Sequence, residues 1–242
     1  MTPTRKEKFI KTLHNRQPDF TLISEQVHKP RNLSALVRNA DAAGMHEIHS
    51  VRPKDGYHTY RGTSRGSDMW VKMHTHDCLE DAVAAVRAQG MVIYAAHLSD
   101  TAVDFRTVDY TKPCAVLMGA EKYGISPLAE KLADEHITVP MMGMVESLNV
   151  STAAGIILSE AQRQRQLAGM YNTVHLSEEE IALKLFEWSN RQVVEFCKTK
   201  GLAYPPYDGD GEMVDAVAWN KTVRDGTAPR FEWPEEEIPD LE

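Results

Sequence analysis

The sequence predicts an α/β domain with a mainly parallel sheet, extended by helices at both ends. Three observations predict it. Short apolar runs alternate with amphipathic stretches from about residue 20 to residue 168. The amphipathic stretches carry helix start and stop residues at the expected places. The alternation then ends near Gly169, beyond which only helical patterning and turn residues continue. The expected organisation is an N-terminal helical extension over residues 1–19, a core over 20–168, and a C-terminal helical extension with an acidic tail over 169–242.

"RKEKFIKTLHNRQPD" sets Phe9, Ile10 and Leu13 among basic residues, which predicts a short amphipathic helix stopped near Pro18. "FTLISEQV" is a strand and "HKPRN" a loop. In the next helix Leu33, Leu36, Val37 and Ala40 fall at i, i+3, i+4 and i+7, with Asn32 as N-cap and Gly44 as stop. "HEIHSV" follows as a strand, and a later strand places His74 and His76 on one face. "DCLEDAVAAVRAQG" reads as a helix with an Asp-x-x-Glu cap that ends on Gly90; "MVIYAAHL" returns as a strand. "CAVLMG" and "HITVP" are two more strands, separated by a helix that opens at Ser126-Pro127. After Gly169, "SEEEIALKLFEWSNRQVVEFCKTKG" reads as one capped amphipathic helix, and "LAYPPYDGDGEMVDAVAWNKTVRDG" as turns before a last helix.

The 242 residues suffice for a sizeable core, and the 42% apolar and 26% charged shares are those of a soluble globular chain. No apolar stretch is long enough to span a bilayer and the N-terminus lacks a signal-peptide core, so a cytoplasmic location is expected. Cys78, Cys114 and Cys197 are odd in number and widely spaced, which predicts buried thiols rather than disulfides or a zinc site. His74 and His76 lack a third ligand at metal-like spacing, so no metal is expected. The net charge of −8 is unevenly spread: residues 1–72 carry 13 basic against 7 acidic side chains, the remainder 14 against 28. A basic front, including Arg5, Lys6, Lys8 and Lys11, can hold phosphates. The tail "FEWPEEEIPDLE" has six acids and no base.

Ligands of open α/β sheets bind beyond the C-terminal ends of strands, so the loops after "AAH", "VLMG" and "TVP" are where a site is expected. No G-x-G-x-x-G follows a strand and no P-loop is present, which argues against dinucleotide oxidoreductases and P-loop NTPases. Three stretches have the composition of a site. In "HKPRNLSALVRNA", Arg38 lies roughly 150° from the centre of the apolar stripe, outside the core and free to hold a phosphate. In "LMGAEKYGIS", Gly119 ends a strand where a ligand can approach the backbone, and Glu121 can orient a polar ligand or an arginine. In "ITVPMMGMVESLNVSTAAGIIL", Gly143 is expected to permit an unusual turn. Ser147, Asn149 and Ser151 crowd a helix mouth beyond what one cap needs, and Ala153, Ala154 and Gly155 allow close packing against a loop or a second subunit.

Taken in order, "NLSALVRNADAAG", "LMGAEKYGI" and "ITVPMMGMVESLNVSTAAGIIL" resemble the three motifs of the SpoU family of RNA 2′-O-ribose methyltransferases, within the SPOUT superfamily. The resemblance implies a deep trefoil knot in the C-terminal part of the core, S-adenosyl-L-methionine (AdoMet) as cofactor, and a homodimer. Both extensions, with "HLSDTAVDFR", imply tRNA as partner and the 2′-hydroxyl of guanosine 18 in the D-loop as acceptor. It carries over Asn32, Arg38, Glu121, Ser147 and Asn149 as polar site residues, Arg38 among them as the catalytic one and as an RNA contact. Ser147 and Asn149 are implied to face the reacting ribose. Ala96, Gly119, Val139, Met141 and Leu148 fall where backbone atoms contact AdoMet. Two alternatives stay open on sequence: methylation of another tRNA position or of ribosomal RNA, and an RNA-binding protein without catalysis.

Overall fold

The computed structural model describes residues 1–53, 69–120 and 122–233. They form two compact units, one of residues 17–173 and one that joins residues 1–16 to the chain from 174 onward. The larger unit is built on seven strands: β1 (Phe20–Glu25), β2 (Glu47–Val51), β3 (Lys72–His76), β4 (Val92–Ala96), β5 (Val103–Asp104), β6 (Cys114–Met118) and β7 (Glu135–Thr138). Their order is β3-β2-β1-β6-β4-β7-β5, and every named pair is parallel. Strands β1 and β6 are buried at every position, as central strands of a two-sided parallel sheet should be; β6 is a continuous apolar run, while β1 buries Thr21, Ser24 and Glu25 on hydrogen-bond partners. Val116 of β6 is in register with Leu22 on one side and Tyr94 on the other, so the sheet's centre is made late in the chain. The two-residue β5 has no counterpart in the sequence reading, because two residues show no periodicity.

Helix α2 (Pro30–Ala42) starts three residues earlier than expected. Lys29 is its N-cap and Pro30 fits the first turn, where proline's missing N–H costs nothing. Asn32 is therefore not the cap; it lies inside the first turn and is buried. Gly44, at φ 79°, ends the helix as expected. In α3 (Leu79–Ala88) the cap position belongs to Cys78, with no side-chain bond, and the expected Asp-x-x-Glu cap does not form. Asp77 instead stands 3.6 Å from Arg52. Cys78 is thus half-buried rather than a core thiol, whereas Cys114 and Cys197 are fully buried. Helix α4 (Pro127–Leu132) is capped by Ser126, whose hydroxyl accepts from the Ala129 amide at 3.1 Å.

The long α5 (Val150–Leu167) is pinned by a buried arginine to which the sequence reading gives no role. Arg165 donates to the Tyr110 carbonyl at 2.8 Å, to Gln17 at 3.2 Å and to Asp19 at 2.6 Å, and lies over the Phe20 ring. Its charge is paired and its donors are used, which is what a buried guanidinium requires.

In the smaller unit, α1 (Pro3–His14) buries Phe9 and Leu13, with Phe9 edge-on to Trp188 at 5.4 Å. The expected single C-terminal helix is two, α6 (Glu178–Ser189) and α7 (Arg191–Lys200). The capping box of Ser177 and Glu180 that opens α6 is present. The break falls at Asn190, whose side-chain amide donates to the carbonyls of Phe186 and Gly211, both at 3.1 Å. A short amide side chain that competes with the backbone in this way ends a helix that apolar periodicity alone would continue. The last helix, α8 (Ala216–Arg224), is capped by Asp215.

The pair His74 and His76 does share a face of β3, but β2 adds His49 and Glu47. His49 stacks on both rings, meets His76 Nε2 through Nδ1 at 2.9 Å, and leaves its buried Nε2 without a partner. His74 pairs with Glu47 at 2.8 Å. Burial and then the neighbouring His74 push the His49 pKa down to about 4, and the hydrogen bond from His74 holds Glu47 at about 2. A histidine whose folded pKa lies below its unfolded value stabilises the fold above pH 6.5, and that contribution is lost as pH falls towards 4. Urea unfolding should therefore show His49→Gln losing about 2–3 kcal/mol less stability than wild type between pH 7 and pH 4. Parallel pH profiles for the two proteins would contradict the assignment.

Candidate active site at the strand ends

A cavity of about 290 Å³ opens at the C-terminal ends of β4, β6 and β7, against the first turns of α5. These are the three loops in which the sequence places a site. Ala96 and His97 follow β4, Met118, Gly119 and Ala120 follow β6, and Ile137 to Met141 run through and past β7; Ser147, Leu148, Val150 and Ala153 close it from the α5 side. Ala96, Gly119, Val139, Met141 and Leu148 thus all line one cavity, together with Ser147.

Gly119 is needed here for a reason other than ligand approach. A Cβ at this position would lie 2.2 Å from the Gly124 carbonyl carbon and 2.3 Å from the Ile125 nitrogen. The chain folds back on itself, with Ala120 and Gly124 exchanging two backbone hydrogen bonds of 2.9 Å. The turn is tied down from β1 by the buried Glu25, whose carboxylate accepts from the Ser126 amide at 2.9 Å. Glu121 lies outside the described residues. Gly143, by contrast, has open space where a Cβ would go and no left-handed φ, so the turn there does not demand glycine.

At the mouth of α5 the three polar residues divide their work. Asn149 is the N-cap: its Oδ1 accepts from the Ser151 amide at 2.9 Å and from the Ser151 hydroxyl at 2.6 Å. Its Nδ2 donates to Asn32 Oδ1 on α2 at 3.1 Å. Both ends of the Asn149 amide are engaged within the chain, while Ser147 is exposed at the cavity edge. The small residues that follow also act within the chain. Ala154 is in the core, Ala153 lines the cavity, and Gly155 faces the side chain of Asn39.

Arg38 is exposed on α2, on the side away from Leu33, Leu36, Val37 and Ala40, as the helical wheel requires. It does not line the cavity; its helix is tied to the α5 mouth beside the cavity by the Asn32–Asn149 bond, among other contacts. Three polar side chains that line the cavity, His97 after β4 and Lys122 and Glu146 within the second and third motifs, receive no role from sequence. Their signal is position alone, since each lies in a loop beyond a parallel strand. Among the described residues no group of His, Cys, Asp or Glu side chains is arranged to hold a metal ion.

The smaller unit holds the basic N-terminal residues. Arg5, Lys8 and Lys11 are exposed on α1, whereas Lys6 is drawn to Asp210 at 3.1 Å. Arg5 and Arg191 both line a second cavity, of about 560 Å³, between the start of α1 and the α6–α7 junction.

The cavity lies at the strand ends of an open parallel α/β sheet, where such sheets take their ligands, and the helix that carries Arg38 is bonded beside it through Asn32 and Asn149. The SpoU rRNA Methylase family profile matches residues 19–159, and the profile for the SpoU rRNA methylase C-terminal region matches residues 163–216. The chain belongs to the SpoU methylase family. It is 49% identical over 226 residues to the tRNA (guanosine(18)-2′-O)-methyltransferase of Escherichia coli K12, covering 93% of this chain and 99% of that one. The enzyme of the same description from Thermus thermophilus is 49% identical over 187 residues, covering 77% and 96%. Among solved structures, the Aquifex aeolicus TrmH/SpoU tRNA modifying enzyme superposes with a TM-score of 0.73 at 39% identity, over 78% of this chain and 97% of its own. The SpoU methyltransferase AviRb of Streptomyces viridochromogenes, in complex with the cofactor AdoMet, gives a TM-score of 0.55 at 29% identity over 62% of each chain.

Proposed function

We propose that the chain transfers a methyl group from AdoMet to the 2′-hydroxyl of guanosine 18 in the D-loop of tRNA. The observation that carries this reading is the cavity at the ends of β4, β6 and β7, lined by all five expected backbone positions and joined through Asn149 and Asn32 to the helix of Arg38. The activity of the relatives that match 93% and 77% of the chain supports the acceptor.

The loops at Ala96, Gly119, Val139, Met141 and Leu148 would hold the cofactor through backbone groups, and Glu121 belongs with Arg38, Asn32, Ser147 and Asn149 to the proposed polar site residues. When bound, AdoMet supplies an electrophilic methyl on a sulfonium. The chain's own residues then bind and orient. The planar fork of Arg38 holds a phosphate beside the ribose; a guanidinium offers five donors and no acceptor, so it positions the hydroxyl rather than deprotonating it. Ser147 meets the ribose at the cavity edge, and Asn32 with Asn149 fixes that edge. Arg5, Lys8 and Lys11 on α1 contact the tRNA backbone, with Lys6 partly held by Asp210.

Three further elements belong to the same proposal. A trefoil knot is supported by the sheet order, in which the late strands β6 and β7 enter between earlier ones. A homodimer is supported by Met142 and Met144, which are 94% and 99% exposed on the loop beside the cavity, an apolar edge suited to a second copy. A cytoplasmic location suits the tRNA substrate, and no helix among the described residues is long and apolar enough to cross a membrane.

Incubation of unmodified tRNA with labelled AdoMet should give one labelled 2′-O-methylguanosine in the D-loop, resistant to alkaline cleavage on its 3′ side. A transcript with 2′-deoxyguanosine there should bind but accept no methyl. Label on a base, or labelling of ribosomal RNA in place of tRNA, would overturn the reading.

A further inference from the structure

Helix α2 meets the mouth of α5 through two side-chain amides seven residues apart, Asn32 and Asn39. Seven residues are close to two full helical turns, so both amides point the same way from α2, about 10 Å apart along its axis. Asn32 accepts from Asn149 at 3.1 Å; Asn39 donates through Nδ2 to the carbonyl of Ser151 at 2.8 Å. The partners are the N-cap of α5 and a residue of its first turn. Gly155 lies one turn further on, and a Cβ there would sit 3.5 Å from Asn39 Nδ2. A Cβ there would already be in van der Waals contact with the amide, so a β-branched side chain at 155 would crowd it, and the glycine among the small residues of α5 is the seat of Asn39.

We infer that Asn39 is a positioning residue for methyl transfer: its bond to Ser151 fixes α2 against the α5 mouth, and so fixes Arg38, its neighbour in sequence, relative to Ser147 and the cavity. This rests on the proposed roles of Arg38 and Ser147. The core contacts of Leu33, Leu36, Val37 and Ala40 hold the apolar face of α2, and the two amides, spaced along its axis, set its polar edge against the α5 mouth. Arg38 gains nothing directly from Asn39, which touches neither the cavity lining nor the arginine's proposed phosphate. The effect is on relative placement, to which transfer between two bound groups is steeply sensitive.

The test compares Asn39→Ala, Asn39→Asp and Gly155→Val with Tyr171→Phe in the full chain. Asn39→Asp keeps the shape and replaces the donor by an oxygen facing the Ser151 carbonyl. Gly155→Val leaves Asn39 intact and takes its seat, which keeps the test alive if Asn39→Ala folds poorly. Tyr171→Phe removes a different partly buried bond to the end of the same helix, from the Tyr171 hydroxyl to the Ala43 carbonyl at 2.7 Å, and serves as the structural control. Single-turnover methyl transfer should fall on the order of 10–100-fold in the first three variants. Dissociation constants for AdoMet and tRNA should stay within about threefold, and the Tyr171→Phe rate should stay near wild type. Wild-type single-turnover rates in the folded Asn39 variants would overturn the inference, as would a Tyr171→Phe loss equal to theirs. Product mapping on wild type separates the two failures. If methyl is transferred at another acceptor, the functional reading falls and the clamp is read from the rate on that acceptor; if wild type transfers none, both fall.

Discussion

Arg38→Ala should abolish methyl transfer while leaving the fold and AdoMet binding almost unchanged. The side chain is exposed on the polar side of α2 and lines no part of the cavity. Substitutions at exposed sites outside caps and networks usually change stability by no more than about 0.5 kcal/mol, so the melting temperature should hold. Affinity for AdoMet, set by the strand-end loops, should change by less than about twofold. The rate should fall by at least roughly 10²–10³-fold, the scale of removing one oriented group that contacts the charge beside a reacting centre. Arg38→Lys should recover little of it, because an ammonium presents a point charge where the guanidinium presents a planar fork. Single-turnover transfer and AdoMet titration on the two variants are the measurements. Near-normal turnover in Arg38→Ala would remove the residue from the mechanism.

The parallel sheet is legible in the sequence because a fully buried strand such as "CAVLM" is a continuous apolar run closed by turn residues, whereas the equally buried "FTLISE" shows only its Phe-x-Leu-Ile part, its polar residues Thr21, Ser24 and Glu25 being buried on hydrogen-bond partners. Where the strands end is legible too, and with it the three loops that line the cavity. The sequence misleads where a side chain bonds far along the chain. Asn32 has the place of a cap, since asparagine before an apolar run usually is one; its amide faces Asn149, 117 positions away. Asp77 has the spacing of a cap and the structure gives it Arg52. Asn190 resembles an ordinary helical position, yet its amide reaches Gly211. The crowd of polar residues at the α5 mouth raises the right question, but Asn39, which holds that mouth from α2, carries no local sign of doing so. Its partner is a backbone carbonyl, to which no residue type in the sequence points.

Gly119→Val should eliminate AdoMet binding and cost stability at once. The sequence assigns this glycine to the ligand; the structure gives it first to the chain, because the atoms a Cβ would strike are the Gly124 carbonyl and the Ile125 nitrogen, at 2.2–2.3 Å. Those are backbone atoms, and they cannot rotate aside as the end of a flexible side chain can. To admit even a methyl, the turn would have to break the paired bonds of Ala120 and Gly124 and draw Ser126 away from the carboxylate of Glu25. Glu25 is buried, so losing that amide leaves a desolvated carboxylate short of a partner. The combined cost should be about 3 kcal/mol or more, in the upper range for single substitutions. The same movement displaces Gly119 and Ala120 from the cavity wall, so binding should fail even at temperatures where the variant remains folded. Calorimetric titration with AdoMet and a thermal melt on Gly119→Ala and Gly119→Val give the two readouts. Gly119→Ala already places the offending Cβ and should show most of both effects. An alanine variant that melts with wild type and binds AdoMet normally would mean that the turn opens cheaply, and that the cavity does not depend on its present shape.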